Sequence, residues 1–243
     1  MVLRISSSLF FSSLLIGAIV VTESLAAEPA ALPEFSAIYT LSKGNIKIGE
    51  TTRTLTINNS GANIFESITR PAGLGRLFAS GDVTERSEWI YYEGRPRPVT
   101  YTYLDSSRKQ ERNVQLKFDW NKNRVTNTIN GDPWKMELFP GTHDKLIYQI
   151  RLMIDLPSAS GHLDYSVADG GKLKEYRLDI LGPETIKTKL GVFEAIRIQR
   201  ISGERVTTFW CVKDLRYLPV RIEQRKGKKS PITAALTSVQ GLP

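Results

Sequence analysis

One cysteine in 243 residues is too few for an internal disulfide, so this chain must be held together by its core. That residue, Cys211, also lies far from the N-terminus, where a lipoprotein carries its acylated cysteine, so no lipid anchor is expected. Histidine is almost as scarce. His143 and His162 are the only two, and no HxH, HxxxH or HExxH spacing joins them, so neither metal nor other cofactor is expected. No GxSxG elbow, SxxK pair or glycine-rich phosphate loop occurs; Leu74-Gly75-Arg76-Leu77 is too short to be one. Beyond residue 21 there is no long apolar run, no internal repeat and no low-complexity tract.

The one apolar run is at the N-terminus. Arg4 precedes thirteen apolar or small residues, 9–21, and Ser24-Leu25-Ala26 places small residues where a signal peptidase reads. Thirteen residues of helix span about 20 Å, against roughly 30 Å of bilayer hydrocarbon. The pattern predicts a secretory signal cleaved after Ala26 rather than a membrane anchor, and hence a periplasmic protein. Cleavage would remove one charge of each sign, Arg4 and Glu23, and leave the net charge at +8. A basic exported protein meets anionic lipids and acidic glycans before nucleic acid. The remaining chain is long enough for one sizeable core. It divides into a flexible Ala/Pro-rich lead-in over 27–34 and a single β-rich domain over 35–240.

Period-two alternation dominates that domain. Val114, Leu116, Phe118 and Trp120 fall on one face, with Asn113, Gln115, Lys117 and Asp119 on the other. Phe35, Ala37, Tyr39 and Leu41 form a similar face, as do Val99, Tyr101 and Tyr103, and Tyr176, Leu178 and Ile180. Val206, Thr208, Trp210 and Val212 form another, and Ile232, Ala234 and Leu236 close the chain. Turn signals such as Asn58-Asn59-Ser60-Gly61 and Asn130-Gly131-Asp132-Pro133 separate the runs, predicting a meander of about a dozen strands. Residues 142–156 break the rule. Leu146, Ile147, Ile150, Met153 and Ile154 recur at helical spacing, predicting one amphipathic helix with Thr142 as N-cap and Pro157 as its stop. So many strands curl or split. The expected fold is therefore mainly β: a large curved antiparallel sheet or partly open β-barrel, with the helix over its concave face. A two-sheet sandwich is the alternative.

Few residues advertise chemistry. Cys211, mid-strand in Phe209-Trp210-Cys211-Val212, reads as a small buried hydrophobe rather than a nucleophile. Asp164, Asp169, Asp179 and Glu184 are scattered, and nothing singles out two of them as a hydrolytic pair. Two basic runs, Arg225-Lys226-Gly227-Lys228-Lys229 and Arg95-Pro96-Arg97-Pro98, sit at predicted turns. They read either as solvated hairpin tips or as contacts for anionic lipid or glycan, with Arg225, Lys226, Lys228 and Lys229 the main candidates. Trp89, Trp120, Trp134, Trp210 and the nine tyrosines either fill the core or line a cavity.

Four blocks in the C-terminal half recur in order: residues 144–149 (DKLIYQ), 164–170 (DYSVADG), 190–195 (LGVFEA) and 209–223, which contains DLRYLPVRI. This arrangement resembles the bacterial envelope family called domain of unknown function 3108, over about residues 35–238 and most strongly after 140. The resemblance implies an exported, mainly β protein with no established reaction, and it assigns no catalytic residue. The matching Asp144, Tyr148, Trp210, Leu218, Pro219 and Arg221 would then be structural: a Trp that packs, a Pro that ends a turn, an Arg that pairs across strands. The expected function is non-enzymatic binding of an apolar or amphipathic ligand, or an envelope partner, in the sheet's concavity, with no nucleic acid involved. The alternatives are a basic surface docking on anionic lipid or glycan, and a hydrolase whose carboxylate pair only the fold brings together.

Overall fold

The computed structural model describes residues 31–77, 79–107 and 109–243. The expected signal segment, 1–26, lies outside them. The N-terminal half is a meander of eight strands: β1 (Phe35–Lys43), β2 (Ile46–Ile57), β3 (Asn63–Pro71), β4 (Val83–Tyr92), β5 (Arg95–Asp105), β6 (Arg112–Asp119), β7 (Arg124–Ile129) and β8 (Asp132–Glu137). A two-residue strand, β9 (His143–Asp144), leads into the helix α1 (Ile147–Asp155). Six strands follow: β10 (His162–Asp169), β11 (Lys172–Thr188), β12 (Gly191–Ser202), β13 (Arg205–Val212), β14 (Leu218–Lys226) and β15 (Ile232–Gln240).

All fifteen strands form one sheet in which consecutive strands are neighbours, β8 and β9 excepted, and the first strand pairs with the last. That pairing fuses two local meanders into one curved wall, with β8 at one edge and β9 at the other. The sheet is a partly open barrel rather than a sandwich. Every pairing is antiparallel except β9 against β10. Long-range polar contacts pin the central join: the Tyr39 hydroxyl donates to the Pro219 carbonyl at 3.0 Å, and that of Thr237 to the Ile38 carbonyl at 3.0 Å. Leu32, in the lead-in, packs into the core, and its N–H donates to the Tyr91 hydroxyl at 3.2 Å.

The alternation places inward residues correctly in the regular strands, as in β1 (Phe35, Ala37, Tyr39) and β6 (Val114, Leu116, Phe118). It fails where the ladder is irregular. Glu88 faces Thr100 and Trp89 faces Pro98, which leaves Val99 as the extra residue of a bulge. Val99 is 36% exposed while Tyr101 is buried, so the two do not share a face. In β13 both faces are buried: Phe209 and Cys211 join the cluster around Tyr148 and Leu152, whereas Trp210 and Val212 join the larger cluster.

The helix differs from expectation in its start and its burial. It begins at Ile147, because His143 and Asp144 are taken up as a strand beside β10. Thr142 is not the cap. The Asp144 carboxylate instead accepts the N–H groups of Leu146 and Ile147, each at 2.8 Å. Nor does the helix have one apolar face. Ile147, Ile150, Met153 and Ile154 join the larger core cluster, and Tyr148, Leu152 and Leu156 the smaller. The helix therefore threads the concavity and ties the two halves of the sheet. Nine residues make a marginal helix in water, but full burial of one Leu or Ile contributes about 1.5–3 kcal/mol, so packing holds it.

Candidate functional site

Between β8 and the β9–β10 edge runs a seam where no backbone ladder forms. The helix fills the middle of the concavity behind it and leaves a space at each end. The larger, about 540 Å³, lies under the β4–β5 and β6–β7 turns. One wall is aromatic and cationic: the Arg97 guanidinium lies between the rings of Tyr92 and Trp120, 4.2 and 4.5 Å from their centroids. Trp120 is fixed there by its indole N–H, which donates to the Pro98 carbonyl at 2.8 Å. On the other wall Asp155 accepts from Arg151 Nε at 2.6 Å and from the Tyr165 hydroxyl at 3.1 Å.

The floor is the segment entering β9. Successive strand residues point to opposite sides. His143 lies against the cavity, its ring edge-on to Tyr165 at 5.7 Å. Asp144 turns the other way, and its carboxylate takes the Ser87 hydroxyl at 2.5 Å. Burial and then the Arg151 charge lower the His143 pKa to about 4, so the ring is neutral at pH 7. Burial lifts the Asp144 carboxyl to about 6 in spite of the hydrogen bonds it accepts. One buried polar atom on the floor, Thr142 Oγ1, has no partner among the described residues, whereas the backbone of Gly141 and Ser166 lies within hydrogen-bonding reach of the His143 ring. Both residues line the cavity. Buried polar atoms of this kind are normally satisfied, and water is enough to satisfy this one.

The residues singled out in the sequence fall in three places. Asp144 and Tyr148 are inside, Asp144 anchoring α1 to β4 and Tyr148 edge-on to Tyr176 at 5.2 Å. Trp210, Leu218, Pro219 and Arg221 belong to the β13–β14 pair. Leu218 is buried, and Arg221 lies over the Trp210 ring at 4.9 Å, across the strand pair. Its ion pair is with Glu223 on its own strand, at 3.1 Å. Arg225, Lys226, Lys228 and Lys229 cluster at the exposed β14–β15 turn, away from the cavity.

His143 sits opposite Val167, five residues along β10 from His162, a separation of roughly 17 Å. His162 is half exposed and pairs with Asp164 at 3.2 Å. The other three scattered carboxylates are also paired: Asp169 with Lys174, Asp179 with Arg177 and Glu184 with Arg197. Cys211 is fully buried, and burial pushes its thiol pKa up. Sequence reasoning missed Tyr92, Thr142, Arg151, Asp155 and Tyr165 as cavity residues. Arg95 and Arg97 were visible only as a basic turn, and nothing local tells that Arg97 stacks inward.

A partly open, helix-filled β-barrel with cavities along its seam is the class of protein these features define. The family described as "Protein of unknown function (DUF3108)" matches residues 35–236, and the chain belongs to that family. Among solved structures it is similar to a beta-barrel-like protein of domain of unknown function DUF1849 from Brucella abortus, at 8% identity and a TM-score of 0.53. That match covers 86% of this chain and 98% of the other. No curated protein matches the chain.

Proposed function

We propose that this protein is an exported, non-enzymatic binding protein that holds a small amphipathic ligand in the larger seam cavity. The observation that carries this reading is an aromatic-walled space whose floor holds a neutral, buried His143 and the unpartnered Thr142 Oγ1. About 540 Å³ is within the range of small-molecule sites. Tyr92, Trp120 and Tyr165 offer apolar surface, and Arg95, Arg97 and the floor atoms offer contacts for a polar head. Asp144, the carboxyl with a raised pKa, is fully buried and engaged by three donors, which favours an anchoring role over catalysis. The N-terminal pattern over residues 1–26 supports export to the periplasm. The test is native mass spectrometry of protein purified from periplasm, followed by challenge with fatty acids and lysophospholipids. A bound amphiphile that Trp120→Ala releases supports the reading. A clean apo mass with no uptake on challenge overturns it.

A second reading rests on a different face. The β1–β2 and β14–β15 turns meet through the Gly44 N–H and the Pro231 carbonyl at 3.2 Å. This brings the turn that carries Lys228 and Lys229 towards Lys43 and the exposed Ile46 and Ile232; Leu74 and Leu77, in the 3-10 turn Gly73–Leu77 that packs on β2, are exposed as well. Apolar tips ringed by cations suit an anionic lipid surface. Reversing Arg225, Lys226, Lys228 and Lys229 to Glu should weaken binding to anionic liposomes, and salt should weaken binding of the unaltered protein. Unchanged binding removes this reading.

A further inference from the structure

The second space on the seam is smaller, about 200 Å³, and lies at the opposite end of the barrel. We propose that it is a binding site for a small oxyanion, a carboxylate or phosphate, separate from the larger cavity.

Asn127 carries the case. It points inward from β7 between Val125 and Ile129, at a position alternation reserves for the core, and it is 0% exposed. Neither Oδ1 nor Nδ2 of its amide has a hydrogen-bond partner. A primary amide buried in this way must meet polar matter inside the chamber that it lines. Water alone is one answer, since the volume holds about six molecules at roughly 30 Å³ each.

The charges around Asn127 favour an anion. Arg112 and Lys145 both line the chamber, and neither forms an ion pair among the described residues. The Lys145 ammonium rests 5.3 Å over the Tyr103 ring. Asp169 lines the chamber too and is close enough for the Lys145 charge to act on it, but its hydrogen bonds, like those of the other nearby acids, go to other donors. Asp169 is held by Lys174 at 2.7 Å and by the Tyr176 hydroxyl at 2.9 Å. Asp105, the register neighbour of Arg112, accepts from the Tyr103 hydroxyl at 3.1 Å and the Ser107 hydroxyl at 2.6 Å. Glu85 accepts from the Tyr101 hydroxyl at 2.7 Å. Both wall tyrosines thus give their protons to protein carboxylates. The donors left over are a guanidinium, an ammonium and an amide NH₂, the set that recognises an oxyanion.

A bridge crosses the seam beside the chamber. Trp134, directly opposite Asn127 on β8, donates its indole N–H across the seam to the Gly171 carbonyl at 3.2 Å. Gly171 leaves no room for a side chain, because a Cβ there would sit 2.1 Å from the Trp134 ring. About 200 Å³ holds a few-atom anion, or the headgroup of a lipid whose acyl chain stays outside.

Isothermal titration of the full mature protein with inorganic phosphate, and separately with acetate and succinate, tests the site at constant ionic strength. Saturable binding of at least one of these is expected, weakened tenfold or more in Arg112→Gln and in Lys145→Gln. Asn127→Leu fills the space with apolar atoms and should abolish binding while leaving the far-ultraviolet circular dichroism unchanged. If that variant fails to fold, the two partly exposed cation variants still decide. A short-chain lysophosphatidic acid distinguishes sources. Binding tighter than phosphate assigns a lipid headgroup, binding no tighter assigns a free anion, and either supports the site. No saturable binding up to millimolar anion, or equal binding in both cation variants, overturns it and leaves Asn127 to water. The outcome is independent of whether the larger cavity loads.

Discussion

Asp144 and His143 are adjacent and buried, and they titrate in opposite senses, so their substitution should expose pH dependences that cancel in the native protein. The Asp144 carboxyl is raised from 3.8 to about 6, so the folded state holds its proton more tightly than the unfolded chain does. Its contribution is full below pH 3.8 and is lost as pH rises through about 6. At 1.36 kcal/mol per tenfold change in proton affinity, that loss is about 3 kcal/mol. His143 is lowered from 6.5 to about 4. Its contribution is full above pH 6.5 and is lost as pH falls through about 4, again by about 3 kcal/mol. The two slopes oppose each other between pH 4 and 6. Asp144→Asn keeps an oxygen for the Leu146 and Ile147 amides and an NH₂ for the Ser87 hydroxyl, but it carries no titratable proton. Relative to the native protein, the variant should gain about 3 kcal/mol of stability between pH 3.5 and 7. Urea unfolding followed by tryptophan fluorescence at half-unit pH steps measures this. A difference between the two proteins that is constant with pH to within about 1 kcal/mol, or that moves the other way, refutes the burial argument for Asp144.

Gly75→Ala should lower stability by about 1–3 kcal/mol in thermal melts, because the added Cβ would lie 1.8 Å from the Ile48 carbonyl oxygen and backbone must move. Trp134→Ala should remove the bridge to Gly171, so amides of β8 and of the β10–β11 turn should exchange with deuterium at least about tenfold faster, while the β1–β15 join keeps its protection. Cys211 should not react with a thiol reagent at pH 8 in the native protein, and should react fully in 6 M guanidinium, since burial both hides the thiol and raises its pKa.

Local pattern was a good guide wherever the local rule and the tertiary environment agree. In β1 and β6 one face meets the core and the other meets solvent, so alternation names the inward residues. The bulge at Val99 is invisible locally, because one extra residue changes no composition and depends on how the β4–β5 ladder is paired. The helix is legible as a helix but its cap is not: Thr142 fits the N-cap pattern, and nothing in the segment says that β10 captures His143 and Asp144. The site was nearly illegible. In the sequence His143 is one of two isolated imidazoles, and Arg97 is only part of a turn. Asn127 carries no local signal, since an Asn near a turn is ordinary until its neighbours are known.

The amino-acid order by itself determined the class of fold, one strand-rich domain with a single helix between two meanders, and it carried enough of the DUF3108 pattern to place the chain in that family. These properties depend on period, turn residues and short blocks, all written along the chain. Three features were decided only by the tertiary structure. The first strand pairs with the last, about 200 residues away. The helix lies inside the sheet, touching both halves of the core. The seam left between β8 and β9 opens two polar-floored chambers whose linings come from strands far apart in sequence. The physical reason is that a chain with one cysteine and two histidines has no covalent or metal landmark to join distant segments. Their meeting depends on curvature, register and burial summed over fifteen strands, and no short window of sequence records that sum.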